Sequence, residues 1–289
     1  MNFDMKNVVF ITGTSSGFGK LTAITLSKAG YQVIAGMRDI NTRNAAAAND
    51  LLAYPNVDVV EIDISSERSV NRAFKDAINK HGHIDVLVNN AAVMGFGLLE
   101  AYSVQQIKRI FETNFFGVIR TSQAVLPSMR ANKKGLIINI TSGASGHTMP
   151  FMIPYLASKF GVESVTEGLQ DELSEYNIEN VSIQPGVYPT EMGIGAKAGI
   201  NADKADIIMA YGDSANEKFN QIGAGLFGKM REFNMDPQTI ADGILTLIEM
   251  KPGTRPLRYP LDAIAEGTDV EFINARAAIK EKWLKKYSA

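Results

Sequence analysis

Tyr155 and Lys159 stand four residues apart in Pro154-Tyr155-Leu156-Ala157-Ser158-Lys159. The stretch reads as the opening of a helix, with proline suited to its first turn. That spacing puts both side chains on one helical face. An ammonium beside a phenol favours the phenolate and lowers the tyrosine pKa from about 10. Such a pair could give and take a proton near neutral pH, as carbonyl reduction and alcohol oxidation require. Any amphipathic helix can carry Tyr and Lys at this distance, so the pair becomes a site only in company. Ser142 provides some, in Asn139-Ile140-Thr141-Ser142-Gly143, at the end of an apolar run and thirteen residues before Tyr155.

A second group could hold an anion. Thr12-Gly13-Thr14-Ser15-Ser16-Gly17-Phe18-Gly19 lies between an apolar run and a helical stretch. A strand that enters a helix through glycines presents backbone N–H groups and the positive helix end to a phosphate. The spacing is G-x-x-x-G-x-G, a partial match to the generic dinucleotide fingerprint. After the second strand, Met37 stands where an acidic residue would take a ribose hydroxyl, and Arg38 follows. A guanidinium there can grip a 2′-phosphate through two parallel hydrogen bonds, which favours NADP(H) over NAD(H). Asp39 adjoins it and could instead cap a helix or pair with Arg38.

The elements that must position these groups alternate along the chain. Val8–Thr12, Val33–Ala35, Val57–Ile62, Asp85–Val88, Leu136–Ile140 and Val181–Gln184 read as strands. Near-continuous apolar strands with helices between them imply an α/β fold, a doubly wound parallel sheet with ligands at the carboxyl ends of its strands. One domain over 1–289 is expected. Residues 191–235 break the alternation and are rich in Gly, Ala, Asn and Lys, which suits a helical substrate lid or a peripheral decoration. A helix over Pro237–Met250, a short strand near Leu257–Tyr259 and a charged C-terminal extension over 261–289 follow.

Composition narrows the chemistry. With 289 residues and no cysteine, the chain forms no disulfide, thiolate metal site or iron–sulfur cluster. His81 and His83 flank Gly82 in what reads as a solvated turn, and nothing near them completes a metal ligand set. A net charge of −2 gives no electrostatic reason to expect nucleic acid or an anionic membrane. Met1–Asn7 lacks the apolar core of a signal peptide, and no apolar run is long enough to span a bilayer. A cytoplasmic protein is the expectation.

Taken together, Thr12-Gly13-x3-Gly17-x-Gly19, Asp63, Asn89-Asn90-Ala91-Ala92, Asn114, Ser142, Tyr155-x3-Lys159 and Pro185-Gly186-x3-Thr190 resemble the classical short-chain dehydrogenase/reductase family. The resemblance covers about the first 190 residues; Ala92 departs from it, where the family usually has glycine. It implies a Rossmann fold and these roles. Tyr155 is the general acid in reduction and the base in oxidation. Lys159 holds the nicotinamide ribose and depresses the tyrosine pKa, and Ser142 hydrogen-bonds the substrate oxygen. Asn114 positions a water that relays protons from Lys159. The glycine turn, with Ser15, Ser16 and Phe18, carries the phosphates. Asp63 and Ile64 contact the adenine, Asn90 and Ala91 line the cofactor cleft, and Pro185, Gly186, Val187 and Thr190 hold the carboxamide.

The substrate should lie between Ser142–Tyr155 and the segment after Thr190. Met94, Phe96, His147, Met149, Phe151 and Tyr188 are candidate walls, mostly apolar, which suits a hydrophobic ketone, aldehyde or secondary alcohol. Two rivals are an extended-type epimerase or dehydratase, which shares Tyr-x3-Lys, and a catalytically idle NADP-binding or redox-sensing protein. The helices around 105–126 and 155–176 form the usual pairing surface in the family, so a homodimer or homotetramer is expected.

Overall fold

The computed structural model describes residues 6–194 and 199–287. Seven strands form one sheet: β1 (Lys6–Thr12), β2 (Tyr31–Met37), β3 (Val57–Glu61), β4 (Val86–Asn89), β5 (Gly135–Ile140), β6 (Ile178–Pro185) and β7 (Arg258–Leu261). They lie in the order β3-β2-β1-β4-β5-β6-β7, and every neighbouring pair is parallel. The fold is the doubly wound α/β arrangement read from the alternation. Strand order reverses between β1 and β4, and the crevice opens at the carboxyl ends there.

Alternate residues of the central strands feed two cores. Val9, Ile11, Val33, Val88, Ile138 and Ile183 pack on one face with Leu26 of α1 (Gly17–Lys28) and Ile240, Ile244 and Leu247 of α10 (Gln238–Glu249). Phe10, Ile34, Leu87 and Ile137 pack on the other. There they meet Val70 and Phe74 of α3 (Glu67–His81) and Val125 and Met129 of α5 (Gly117–Asn132). Phe10 stacks on Phe74 at 4.4 Å between centroids. Full burial of such a side chain contributes about 1.5–3 kcal/mol.

Helix α2 (Ala45–Leu52) begins with a run of alanines, Ala45-Ala46-Ala47-Ala48. Helix α4 (Val104–Phe111) opens on a Ser103/Gln106 capping box and passes through a π-helical turn, Glu112–Phe116, into α5. Helix α6 (Ile153–Glu172) carries Tyr155 and Lys159. The stretch that breaks the alternation holds α7 (Glu191–Ile194), α8 (Ala205–Ala210) and α9 (Gly212–Glu232). The 21 residues of α9 make it more regular than its glycines suggested, although residues 195–198 fall outside the described ones. Helix α11 (Thr268–Leu284) closes the chain, and none of its residues is buried. No helix among the described residues is long and apolar enough to cross a membrane.

Two details differ from the sequence reading. Helix α1 starts at Gly17, inside the Thr12–Gly19 stretch read as lying before the helix, because the last glycines of the turn already belong to it. The histidine turn is not simply solvated: His81 Nε2 lies 2.8 Å from Asp58 Oδ2 and is mostly covered, and His83 Nε2 lies 3.1 Å from Asp85 Oδ2.

Candidate active site

At the carboxyl end of β1 the chain turns sharply. The N–H groups of Gly13 and Thr14 both donate to Gly36 O of β2, at 2.8 and 3.1 Å. Gly13 has φ +73°, and a Cβ on it would lie 2.7 Å from Ala91 Cα. A Cβ on Gly19 would lie 2.3 Å from Gly13 O and 2.5 Å from Asn90 Nδ2. Both glycines are therefore required by close approach, Gly13 to the β4 loop and Gly19 to Gly13 and Asn90, and Gly13 also by its conformation. Asn90 fixes that approach: its Nδ2 donates to Thr12 O and Gly13 O at 2.9 and 3.0 Å. Thr12 Oγ1 accepts from the backbone of Asn90 and of Ala91, both at 3.1 Å.

The turn forms one end of a cleft of about 1180 Å³. Along its cofactor-sized half lie Gly13, Ser15, Ser16, Gly17 and Phe18 from the turn, Arg38 after β2, Asp63 and Ile64 after β3, and Asn90 and Ala91 after β4. Pro185, Gly186, Val187 and Thr190 follow β6 along the same wall. Thr190 reaches across to the turn, its Cβ 3.6 Å from where a Gly17 Cβ would stand. Gly19 is packed behind the turn, against Gly13 and Asn90, and shapes the cleft without lining it.

Arg38 is exposed at the cleft rim. Asp39, a possible partner in the sequence, pairs instead with Arg43 at 2.6 Å. The Arg38 guanidinium has no carboxylate partner among the described residues. Arg43 and Asn44 join it on the wall, with Asn44 Nδ2 held 2.6 Å from Arg38 O. Their sequence signal is only that they follow β2 in a loop. Asp63 is partly engaged: its Oδ1 accepts from Ser65 N and Ser65 Oγ at 2.9 and 2.7 Å.

Ser142, Tyr155 and Lys159 meet in the middle of the cleft. Ser142 follows β5, and its Oγ accepts from Ala144 N at 3.2 Å. Lys159 Nζ donates to Ile140 O at 2.7 Å and lies 5.8 Å from the centre of the Tyr155 ring. Burial raises the Tyr155 pKa above its usual value and lowers that of Lys159 to about 8. The sequence led to the opposite expectation for the phenol. In the protein itself the phenol is buried, and desolvation raises its pKa.

Asn114 sits in the π-helical turn, 1% exposed and behind the cleft wall. Its Oδ1 accepts from Val93 N, and its Nδ2 donates to Val93 O and Ser158 Oγ, at 2.8, 2.8 and 3.0 Å. The side chain ties the β4 loop to α6 one residue before Lys159.

The substrate half is lined by Met94, Phe96, His147, Met149 and Tyr188. Tyr188 is largely core: it packs edge-on to Phe18 and donates to Leu261 O at 2.9 Å. Phe151 stands off the cleft against Phe219, with φ +65°. Leu226, Phe227 and Met230 of α9, Asp262 after β7, and Phe272, Ile273 and Arg276 of α11 complete the wall. No local pattern marks them, since they are distant in sequence and only the tertiary fold brings them in. Phe272 meets the His147 ring edge-on at 5.8 Å.

A family model described as short chain dehydrogenase matches residues 7–201. An uncharacterized oxidoreductase, YusZ, of Bacillus subtilis is 33% identical over 260 residues, 89% of each chain. Among solved structures, a short-chain dehydrogenase from Streptomyces avermitilis aligns with TM-score 0.78 and 26% identity, covering 99% of this chain and 98% of that one. A gluconate 5-dehydrogenase from Burkholderia cenocepacia in complex with NADP and tartrate aligns with TM-score 0.61 and 29% identity, covering 65% and 74%.

Proposed function

The chain belongs to the short-chain dehydrogenase family, and from that premise we propose an NADP(H)-dependent oxidoreductase acting between the nicotinamide and a hydrophobic ketone, aldehyde or secondary alcohol. The observation that carries this reading is one cleft that joins the glycine turn and Arg38 to Ser142, Tyr155 and Lys159. A related gluconate dehydrogenase binds NADP, and the cradle here fits a dinucleotide. Gly13 and Gly19 leave no room for a Cβ, which keeps the backbone of the turn close enough to receive a pyrophosphate.

When bound, the nicotinamide gives or takes the hydride. The rest falls to side chains. In reduction the Tyr155 hydroxyl, kept protonated by burial, gives its proton to the carbonyl oxygen, while the Ser142 hydroxyl donates a hydrogen bond to the same atom. Lys159 brings positive charge to the forming phenolate and a donor to the ribose. In oxidation the proton travels back. Met94, Phe96, Met149 and Phe227 exclude water from the reacting carbonyl. A cytoplasmic protein working as a homodimer or homotetramer is part of the same proposal. Phe116 of the π-turn and Phe160 of α6 are exposed on the face where pairing would occur.

The test is NADPH consumption against a panel of apolar ketones and aldehydes, with NADH side by side. Arg38→Ala should weaken NADPH binding by about tenfold to a hundredfold, the loss of charge-assisted hydrogen bonds to a phosphate, and leave NADH nearly unchanged. Equal effects on both cofactors would remove Arg38 as the reader of the 2′-phosphate.

A further inference from the structure

One carboxylate is set into the substrate half beside the reacting residues. Asp262 follows β7, and its Oδ1 accepts from Ile264 N at 3.0 Å, capping the short turn Ala263–Ala265. The group stands against two glycines. A Cβ on Gly186 would lie 2.2 Å from Asp262 Cγ, and one on Gly143 would lie 3.5 Å from its Oδ2. Gly143 directly follows Ser142 and donates to Pro185 O at 2.7 Å. The carboxylate thus sits where the serine loop meets the Pro185–Val187 turn, and it lines the cleft.

Neither arginine of the substrate half of the cleft, Arg258 or Arg276, answers it. Arg258 pairs with Glu163 and Glu167, and Arg276 pairs with Glu167. The charge that Asp262 does feel is Asp269 of α11, a like charge that also lines the cleft. A half-buried carboxylate among apolar walls is costly unless a donor meets it. The backbone N–H groups of Ile264 and Ala265 both reach the carboxylate, yet a cap at this turn can be made through one oxygen of asparagine or serine as well.

We propose that Asp262 determines specificity: it receives a hydroxyl or ammonium that the substrate carries close to its reacting carbonyl. The preferred substrates are then ketones, or the matching alcohols, with a polar donor on the neighbouring carbon and an apolar remainder against Met94, Phe96 and Phe227. This rests on the oxidoreductase reading above.

The experiment compares a long-chain methyl ketone with the same ketone bearing a hydroxyl on its methyl carbon, under NADPH. Wild type should favour the hydroxyl-bearing ketone in kcat/KM by roughly tenfold to a hundredfold, the range of a hydrogen bond to a charged group. Asp262→Ala should bring that ratio close to unity. Asp262→Asn, which keeps the cap and a neutral acceptor, should keep part of it. A wild-type ratio near unity, or one unchanged in Asp262→Ala, overturns the proposal. An equal loss on both ketones with weakened NADPH binding also overturns it, by showing that Asp262 only braces the Gly186 turn. If neither ketone nor any of the panel consumes NADPH, the oxidoreductase reading falls and this proposal with it; turnover with an unchanged ratio removes Asp262 alone.

Discussion

Replacing Tyr155 by phenylalanine should lower hydride transfer roughly 10²–10⁴-fold, the usual worth of a positioned general acid, and leave NADPH binding nearly intact. The hydroxyl is the only atom lost. The ring is 7% exposed and keeps its packing in α6, and the cofactor wall of the glycine turn, Arg38 and Thr190 is untouched. Cofactor affinity, measured by fluorescence titration, and turnover, measured by NADPH absorbance, should therefore separate. Retained turnover would end the assignment of Tyr155 as proton donor.

The same site carries a pH signature. Burial keeps the phenol protonated well past neutrality and lowers Lys159 to about 8. The group that changes state in the working range is thus the lysine. Below about 8 it is cationic and supports the forming phenolate; above it that support is lost. Reduction should fall as pH rises through this value, and Lys159→Arg, which stays charged, should retain less activity but move the falling limb upward. A limb that does not move would assign it to another group.

The residues of this chemistry were legible because local spacing encodes them. The alternating strands, the turn at Thr12–Gly19 and the Tyr155/Lys159 face all lie within short windows, where period and glycine placement carry the information. What the windows missed depends on contacts across the fold. Asn89, Asn139 and Asn180 look like polar interruptions of β4, β5 and β6. In the structure they form a buried chain, with Asn89 Nδ2 donating to Asn139 Oδ1 at 2.9 Å and Asn139 Nδ2 to Asn180 Oδ1 at 3.1 Å. The direction of the Tyr155 shift was misjudged because a helix face shows proximity and not desolvation. Phe272 and Asp262 could not be placed in the cleft, since nothing in a charged terminal segment says that it folds back over the sheet. The acidic residues of α6 were unread for the same reason, and they carry the second large effect.

Replacing Arg258 by methionine should destabilise the protein by about 3–5 kcal/mol, because it strands a carboxylate inside the fold. Glu163 is 1% exposed, one helical turn after Lys159. Its Oε1 accepts from Thr141 Oγ1 and Gln184 Nε2, each at 2.8 Å, and its Oε2 from Arg258 Nε at 3.0 Å. Arg258 also pairs with Glu167, but that carboxylate keeps Arg276 and Lys280 of α11. The loss therefore falls on Glu163, which has two neutral donors left and no cation. For a chain of this size the change corresponds to a fall in Tm of very roughly 10 °C. Adding Glu163→Gln to the variant removes the stranded charge and keeps an acceptor for Thr141, so most of the stability should return; a pair of such groups is often near neutral when removed together. Thermal unfolding of the two single variants and the double variant forms the cycle. If Glu163→Gln fails to rescue Arg258→Met, the cost lies in lost packing of the guanidinium stem rather than in buried charge. Because Thr141 adjoins Ser142 and Glu163 follows Lys159 on one face of α6, the unrescued variant should also lose turnover at temperatures where it is still folded, and the double variant should recover it.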